Sequence, residues 1–532
     1  MGLLFENRKV FFIALFASLG GLLYGYEQGV LSQALVMTSF GKAFPEVRDA
    51  SKKGWMTSIL QLGGWLGALL SGYFAERWSR KHAICGSALS VVLGSYLQAG
   101  ASNARFVYAG RWFTGLGVGS LSSVGPLYNA ELAPPEARGL LVALQQLSIA
   151  FGIMVSFWIG YGTNYIGGTG DGQSDWSWRI PMITQGIPAI ALAIGVWFLP
   201  FSPRLLVSKG REEEAIAVLC SLRKLPADDP LIRTEFLEIK AEAVFQREVL
   251  EEKFPHLTNG DGWADSIKLE LAQYGSFFKS WHMFKRLAIG CLVMFFQQWT
   301  GIDAVIYYAP TIFSGLGLSG KTTSLLATGV VGVVFVLVTL PTVLVIDKVG
   351  RRPICLAGSF GMFTCLTILA ILVGRFQHSW DSHPAAGWVC VACVWIYAMN
   401  FGYSWGPASW ILISEIFPVS VRAKGTSISA SSNWMNNFII AFVVPPMLET
   451  ITYGTYIFFA VFTLMGAGFI FWFVPETANK SLEDMDRVFG SNVAEREAEW
   501  LRAVQERVGL TEILNNFVGE EKREIFEDLE EK

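Results

Sequence analysis

The chain reads as an all-α membrane protein: twelve transmembrane helices in two pseudo-symmetric six-helix bundles, with cytoplasmic linker helices between them. Three observations predict this. Charged punctuation occurs twice at identical spacing, Glu131, Pro134 and Arg138 being matched by Glu415, Pro418 and Arg422, and Glu76, Arg80 and Lys81 by Asp347, Arg351 and Arg352. Each set lies between long apolar segments, so the repeating unit is several membrane helices followed by a charged corner. Finally, 532 residues with 52% hydrophobic, 14% aromatic and only 16% charged side chains leave too little polar surface to cover a soluble fold of this size.

Roughly twenty apolar residues cross a bilayer. On that measure the spans fall at about 10–30, 54–75, 83–101, 106–130, 141–164, 180–199, 286–310, 323–346, 354–374, 386–413, 424–447 and 454–474. Helices are the expected spanning form, because barrel strands would be shorter and would alternate in polarity. The first apolar run carries Glu27 and continues into a polar loop without a small-residue cleavage site, so it is expected to be a span rather than a signal peptide. Glycines recur within spans, as at Gly63, Gly64 and Gly67 or Gly115, Gly117 and Gly119, where small residues let backbones approach.

Basic residues set the orientation. Arg77, Arg80, Lys81, Arg138, Lys348, Arg351, Arg352, Arg422 and Lys424 fall on loops of one parity, and the loop at 163–178 on the other side has no Lys or Arg. Both termini are therefore expected in the cytoplasm, although Lys42, Arg48, Lys52 and Lys53 in the 31–53 loop run against the rule. The expected organisation is a first bundle over 1–200, a linker with amphipathic helices over 201–285, a second bundle over 286–474 and an acidic tail over 475–532. Residues Glu520 to Lys532 are expected to be disordered, and the sequon at Asn479 to be unused on the cytoplasmic side. Seven cysteines, mostly within apolar runs, imply packing rather than disulfides, Cys390 and Cys393 included.

Charge inside the membrane points to mechanism. Glu27 lies late in the first span and Arg111 early in the fourth, which runs the other way, so both sit at similar depth. Each would cost about 2.5 to 3.5 kcal/mol alone at the bilayer centre, so they are expected to face inward and pair. A partner's charge and desolvation pull a carboxyl's proton affinity in opposite directions, so small changes in separation can make it bind and release a proton. Proton coupling and a fixed ion pair both stay open at this point.

The residues then resemble a known group. Gly20, Gly21, Gly25, Tyr26 and the acid at 27; Gly110, Arg111, Gly115, Gly117 and Gly119; Pro126, Tyr128, Glu131, Pro134, Arg138 and Gly139; Gln297, Gln298, Gly301, Tyr307 and Tyr308; Trp405, Gly406, Pro407 and Trp410; and Pro475, Glu476 and Thr477 are similar to the signatures of the sugar porter family of the major facilitator superfamily, over about 10–490 and in the correct order. The flavour is that of fungal monosaccharide transporters. The resemblance implies sugar contacts at Gln146, Gln297, Gln298, Asp303, Tyr307, Gly406, Trp410, Asn433 and Trp434. Amides answer sugar hydroxyls that both donate and accept, and an indole suits the C–H faces of the ring.

Four departures from the family pattern stand out. Glu27 replaces the usual Asp; Glu76 and Ser79 replace an Asp and a Gly in the first charged corner; Phe201 replaces an acid between Pro200 and Arg204; and Asp303 stands where the family has a sugar-binding Asn. An ionised Asp303 would favour neutral polyhydroxy substrates over sugar acids, whereas a protonated one would partly mimic an amide. The charged corners, Glu76, Arg80, Glu131 and Arg138 with Asp347, Arg351, Glu415 and Arg422, are expected to form a cytoplasmic gate.

The reading is a plasma-membrane carrier that moves a hexose or pentose inward by alternating access, with proton symport driven through Glu27 and Arg111. A proton-independent facilitator and a non-transporting sugar sensor are the alternatives. The expected partners are the sugar, the proton and the bilayer, with no nucleic acid, and a monomer suffices. No cofactor or metal is expected, and no catalytic residue, because no ligand cluster, nucleophile triad or phosphate loop rises above chance spacing.

Overall fold

The structure is a computed structural model that describes residues 8–133, 138–257, 263–316, 321–478, 480 and 482–514. Every apolar segment expected from the sequence is helical. Span 1 is Arg8–Ala17 continued by Leu19–Ala34, followed by span 2, Ala50–Arg77, span 3, Arg80–Ala99, span 4, Ala104–Leu132, span 5, Arg138–Thr163, and span 6, Trp176–Gly195. The second set is span 7, Trp281–Trp299 with Ile302–Gly315, span 8, Lys321–Val349, span 9, Arg351–Phe376, span 10, Pro384–Tyr403 with Trp405–Glu415, span 11, Arg422–Thr450, and span 12, Gly454–Phe473. No strand occurs among the described residues.

Among the described residues, eight helical stretches, in spans 1, 5 to 10 and 12, are long and apolar enough to cross a membrane on length and composition alone. Spans 2, 3, 4 and 11 fall short because they carry glycines, serines and amides. Those residues face protein rather than lipid: Gln61, Ser71, Gln98, Thr114, Asn433 and Asn437 are all buried. Local signals start three of these helices. Asp49 accepts from the Lys52 backbone N–H, Ser79 from His82, and Asn103 from Arg105 and Phe106, the side-chain oxygens answering otherwise unpaired first-turn donors.

Small residues bring spans 2 and 4 into backbone contact. A Cβ at Gly115 would lie 2.0 Å from the Leu60 carbonyl oxygen, and one at Gly119 would lie 2.0 Å from that of Gly64. Between the halves, span 2 packs on span 11 and span 5 on span 8. Trp55 meets Phe438 and Phe442 edge-on, Trp65 Nε1 donates to Ser431 Oγ at 2.6 Å, and Gly329 and Gly332 lie against Trp158 and Met154. The Trp55 cluster and the Gly329 and Gly332 contacts lie towards the face opposite the termini, so the halves are shut there, while the Trp65 to Ser431 bond lies near mid-span.

On the terminal face the described residues of the linker form the helices Pro203–Ser208, Glu212–Arg223, Pro230–Lys253 and Trp263–Ser276. The first three share a small core of Leu206, Val207, Ala215, Leu219, Ile232 and Ile239. The tail adds Leu482–Phe489 and Val493–Arg507, the latter packing Trp500 against Phe245 of the third linker helix. The basic residue that ran against the orientation rule most clearly is answered at the opposite face: Lys42 lies 3.1 Å from the Asp171 carboxylate in the 163–178 loop. Asn479 and Glu520 to Lys532 lie outside the described residues.

Candidate functional site

Span 1 and span 4 run antiparallel, and the sequence places the acid and the base at matching depth. Glu27 Oε2 lies 3.7 Å from Arg111 Nη1, and both side chains are withdrawn from solvent. Arg111 also donates from Nη2 to the Thr57 carbonyl at 3.0 Å, which anchors the guanidinium to span 2. At 3.7 Å the contact to Glu27 is electrostatic rather than a hydrogen bond, and neither Glu27 oxygen accepts one from another side chain. Such a pair is held by burial and by the anchoring of Arg111 at Thr57.

A second polar cluster sits where span 7 breaks. Gly301 has φ +94°, a left-handed conformation that suits a residue without Cβ, and a Cβ there would meet the Phe459 ring at 2.7 Å. Gln297 and Asp303 lie on either side of the break, and both are buried. Gln297 donates to the carbonyls of Trp405 and Gly406 at 2.9 and 3.2 Å, and its oxygen accepts from Asn433 at 2.5 Å. Span 10 breaks here too, at Ser404, so the Trp405 and Gly406 carbonyls belong to a helix start. Asp303 Oδ2 accepts from Asn437 at 2.7 Å, and the Tyr307 hydroxyl donates to Asn437 Oδ1 at 3.0 Å. Gln298 is buried with its amide oxygen unpaired.

The structure therefore brings together Gln297, Gln298, Asp303, Tyr307, Gly406 and Asn433 from spans 7, 10 and 11. Trp410 is half-buried farther along span 10, and Gln146 is half-buried on span 5. Trp434 is packed rather than open: its ring lies 5.2 Å from that of Tyr24 and covers Gly64, whose Cβ would meet the indole at 2.5 Å. Asn437 was not singled out by the sequence reading, although it follows Asn433 by one helical turn and so shares its face.

The charged corners are built twice on one plan. Arg80 grips both oxygens of Glu131 at 3.0 to 3.1 Å and donates to the Ala75 carbonyl, five residues back. Arg351 meets Glu415 at 2.8 Å and donates to the Ile346 carbonyl, again five residues back. Each pair closes within its own half. Arg422 donates to the Phe417 carbonyl at 3.4 Å, Glu76 is exposed, and the side chains of Arg138 and Asp347 lie outside the described residues. In the second corner Glu476 accepts four backbone N–H groups, from Arg351, Arg352, Thr477 and Ala478, at 2.9 to 3.0 Å. Partial burial pushes its carboxyl up, but these four donors outweigh it and hold it below the usual carboxylate range.

Among the described residues no three His, Cys, Asp or Glu side chains converge as metal ligands do. The chemistry on offer is hydrogen bonding from a buried cluster of amides, a carboxyl and a phenol, beside a buried acid–base pair.

Comparison with known proteins agrees in outline. The model of the family described as "Sugar (and other) transporter" matches residues 13–489. A probable quinate permease of Aspergillus niger is 34% identical over 498 residues, covering 91% of this chain and 88% of the permease. The glucose transporter mfs1 of Aspergillus flavus is 32% identical over 502 residues, covering 91% and 90%. The xylose transporter XylE from E. coli, in a partially occluded inward-open conformation, superposes with a TM-score of 0.70 at 27% identity, over 89% of this chain and 99% of that one. A structure of XylE described as a proton:xylose symporter, bound to 6-bromo-6-deoxy-D-glucose, gives 0.69 over 91% and 100%. A membrane-spanning helical chain with a twice-built corner and a paired acid, matched along nearly all of its length, belongs to the sugar transporter family of the major facilitator superfamily.

Proposed function

We propose that this protein imports a monosaccharide, a hexose or pentose, across the plasma membrane by alternating access, coupled to a proton. The observation that carries the reading is the discontinuous seventh span, with the amides of Gln297 and Asn433 and the carboxylate of Asp303 gathered at the break, since carriers hold substrate where unwound helices meet near the bilayer midplane. A sugar hydroxyl that both donates and accepts can replace the Gln297 to Asn433 bond without leaving either amide unpaired. Gln146, Gln298, Tyr307, Gly406, Trp410 and Trp434 complete the proposed binding surface.

The pair of Glu27 with Arg111 supplies the proton step. Protonation of Glu27 releases Arg111 electrostatically, and tightening of the pair expels the proton. With both termini in the cytoplasm, closure at the opposite face makes this conformation the inward-facing one. The Arg80 to Glu131 and Arg351 to Glu415 corners, with Glu76, Arg138, Asp347 and Arg422, then form the gate that engages when the inner side shuts.

Uptake of a panel of labelled sugars in transporter-null cells tests the reading. Accumulation of at least one neutral monosaccharide, collapsing on addition of a protonophore, is expected. Uptake that is indifferent to the protonophore would leave a facilitator, and no uptake of any neutral carbohydrate would overturn the proposal.

A further inference from the structure

Two carboxylates are buried on opposite sides of the boundary between the halves, and one unbroken set of contacts joins them. Asp303 accepts from Asn437, whose Oδ1 faces the Tyr307 hydroxyl at 3.0 Å. Tyr307 reaches across the boundary to Gln61 of span 2. With its amide oriented by its partners, Gln61 receives the Tyr307 hydroxyl on its oxygen at 2.9 Å and donates its nitrogen to the carbonyls of Thr57 at 2.7 Å and Ser58 at 2.9 Å. The Thr57 carbonyl is the one that also receives Arg111, which faces Glu27. No member of the set is more than 3% exposed.

Two features of this set make it responsive. A phenol has one proton, and Tyr307 faces two acceptors, Asn437 in its own half and Gln61 in the other, so it donates to one at a time. Gln61 and Arg111 share the Thr57 carbonyl, so the hold on Gln61 affects how firmly Arg111 is kept at Thr57 rather than at Glu27. The other titratable groups facing these carboxylates are phenols: Tyr26 beside Glu27, Tyr308 towards Arg111, and Tyr24 and Tyr397 towards Asp303. Gln98 of span 3 is a further polar neighbour of Glu27.

We propose that Gln61 is a positioning residue that couples the sugar site to the proton site. A sugar hydroxyl that takes over Asn437 turns the Tyr307 proton towards Gln61, which stiffens the Thr57 carbonyl and fixes Arg111. When the halves part, the Tyr307 to Gln61 bond breaks and Arg111 moves with it. This role rests on the symport reading above, and an isosteric apolar side chain at 61 removes it while leaving the binding amides in place.

The test is sugar flux in proteoliposomes, comparing wild type, Gln61→Leu, Gln61→Asn, Glu27→Gln and the Gln61→Leu/Glu27→Gln double variant, with glucose and xylose as probes. Accumulation under an imposed acid gradient should fall about tenfold in Gln61→Leu, with gradient-free counterflow held within about twofold of wild type, as expected for coupling carried by one contact in a network. Gln61→Asn, which keeps an amide on a shorter stem, should fall between, and the double variant should match Glu27→Gln alone because both changes act on one pair. Accumulation by Gln61→Leu equal to wild type, counterflow lost in step with accumulation in both Gln61 variants, or further loss of counterflow in the double variant would each overturn the role. A wild type that shows counterflow but no acid-driven accumulation would overturn the symport reading, and this role with it.

Discussion

At the residue scale, the first charged corner shows two substitutions that compensate one another. In the second corner Gly350, at φ +95°, leaves room for Glu476, and a Cβ there would approach the carboxylate to 2.7 Å. In the first, Phe201 stands where the acid would be, Lys81 lies over its ring at 4.8 Å, and Ser79 at φ −176° caps span 3 with its own hydroxyl. The first corner thus exchanges a remote cap for a local one. Ser79→Ala should therefore lose about 1 kcal/mol, the value of an N-cap, whereas Gly350→Ala should cost about 1–3 kcal/mol through its strained backbone and the displaced carboxylate. Thermal unfolding in detergent compares the two. Because Glu476 is depressed in the folded state, its contribution is present above the ordinary carboxylate value of about 4.3 and is lost as pH falls through the lower, folded value. Glu476→Gln should accordingly flatten the acid limb of the melting profile below about pH 4 and change nothing in its shape near neutrality.

At the scale of the element, the helices were legible and their interruptions were not. Bilayer thickness imposes a length and a polarity that any window along the chain can register, so all twelve spans fell within a few residues of their expected ends. The breaks at Gly301 and Ser404 depend on what packs against them, Phe459 in one case and Gln297 in the other, and no local signal carries that. Gln297 and Gln298 were readable as adjacent amides in an apolar run, Asn433 entered through the family resemblance, and Asn437 needed the helix face to be known. Gly301→Ala should reduce transport about tenfold or more, since a left-handed alanine strained by about 1–2 kcal/mol must also displace Phe459; uptake normalised to surface expression measures it, and unchanged uptake would show the break to be passive. The tail behaves as a docked element. Glu248 accepts from Trp500 at 2.8 Å and from Arg507 at 2.8 and 2.9 Å, and the hydrogen bond from Arg507 is the main cause that holds its carboxyl below the usual range. Trp500→Ala should free Val493–Arg507 for limited proteolysis while the membrane helices stay resistant; equal cleavage of wild type and variant would count against docking.

For the whole molecule, spans 5 and 8 form a close seam between the halves on the face opposite the termini. Gly332 lies so close to Met154 that a Cβ would approach its Cα to 2.7 Å, which leaves no space for a larger side chain while that end is shut. Gly332→Trp should hold spans 5 and 8 apart and favour the opposite opening, so that sugar binding survives while both net uptake and exchange fall by about tenfold or more. Ligand-induced tryptophan quenching and counterflow separate the two effects, and normal counterflow would argue against the wedge. The corners carry the complementary lesson. Spacing alone revealed the duplicated Arg80 to Glu131 and Arg351 to Glu415 pairs, but not that each closes within its own half in this conformation, because the partner of a charged side chain is set by which helix ends are adjacent.

Spans 2 and 4 meet through bare peptide groups at Gly64, Gly115 and Gly119, with nothing compressible between them. Two rods in such contact cannot slide or splay by degrees. Whatever displaces one must carry the other, so spans 2 and 4 turn together, and a tug at Arg111 on span 4 is felt by span 2 as well.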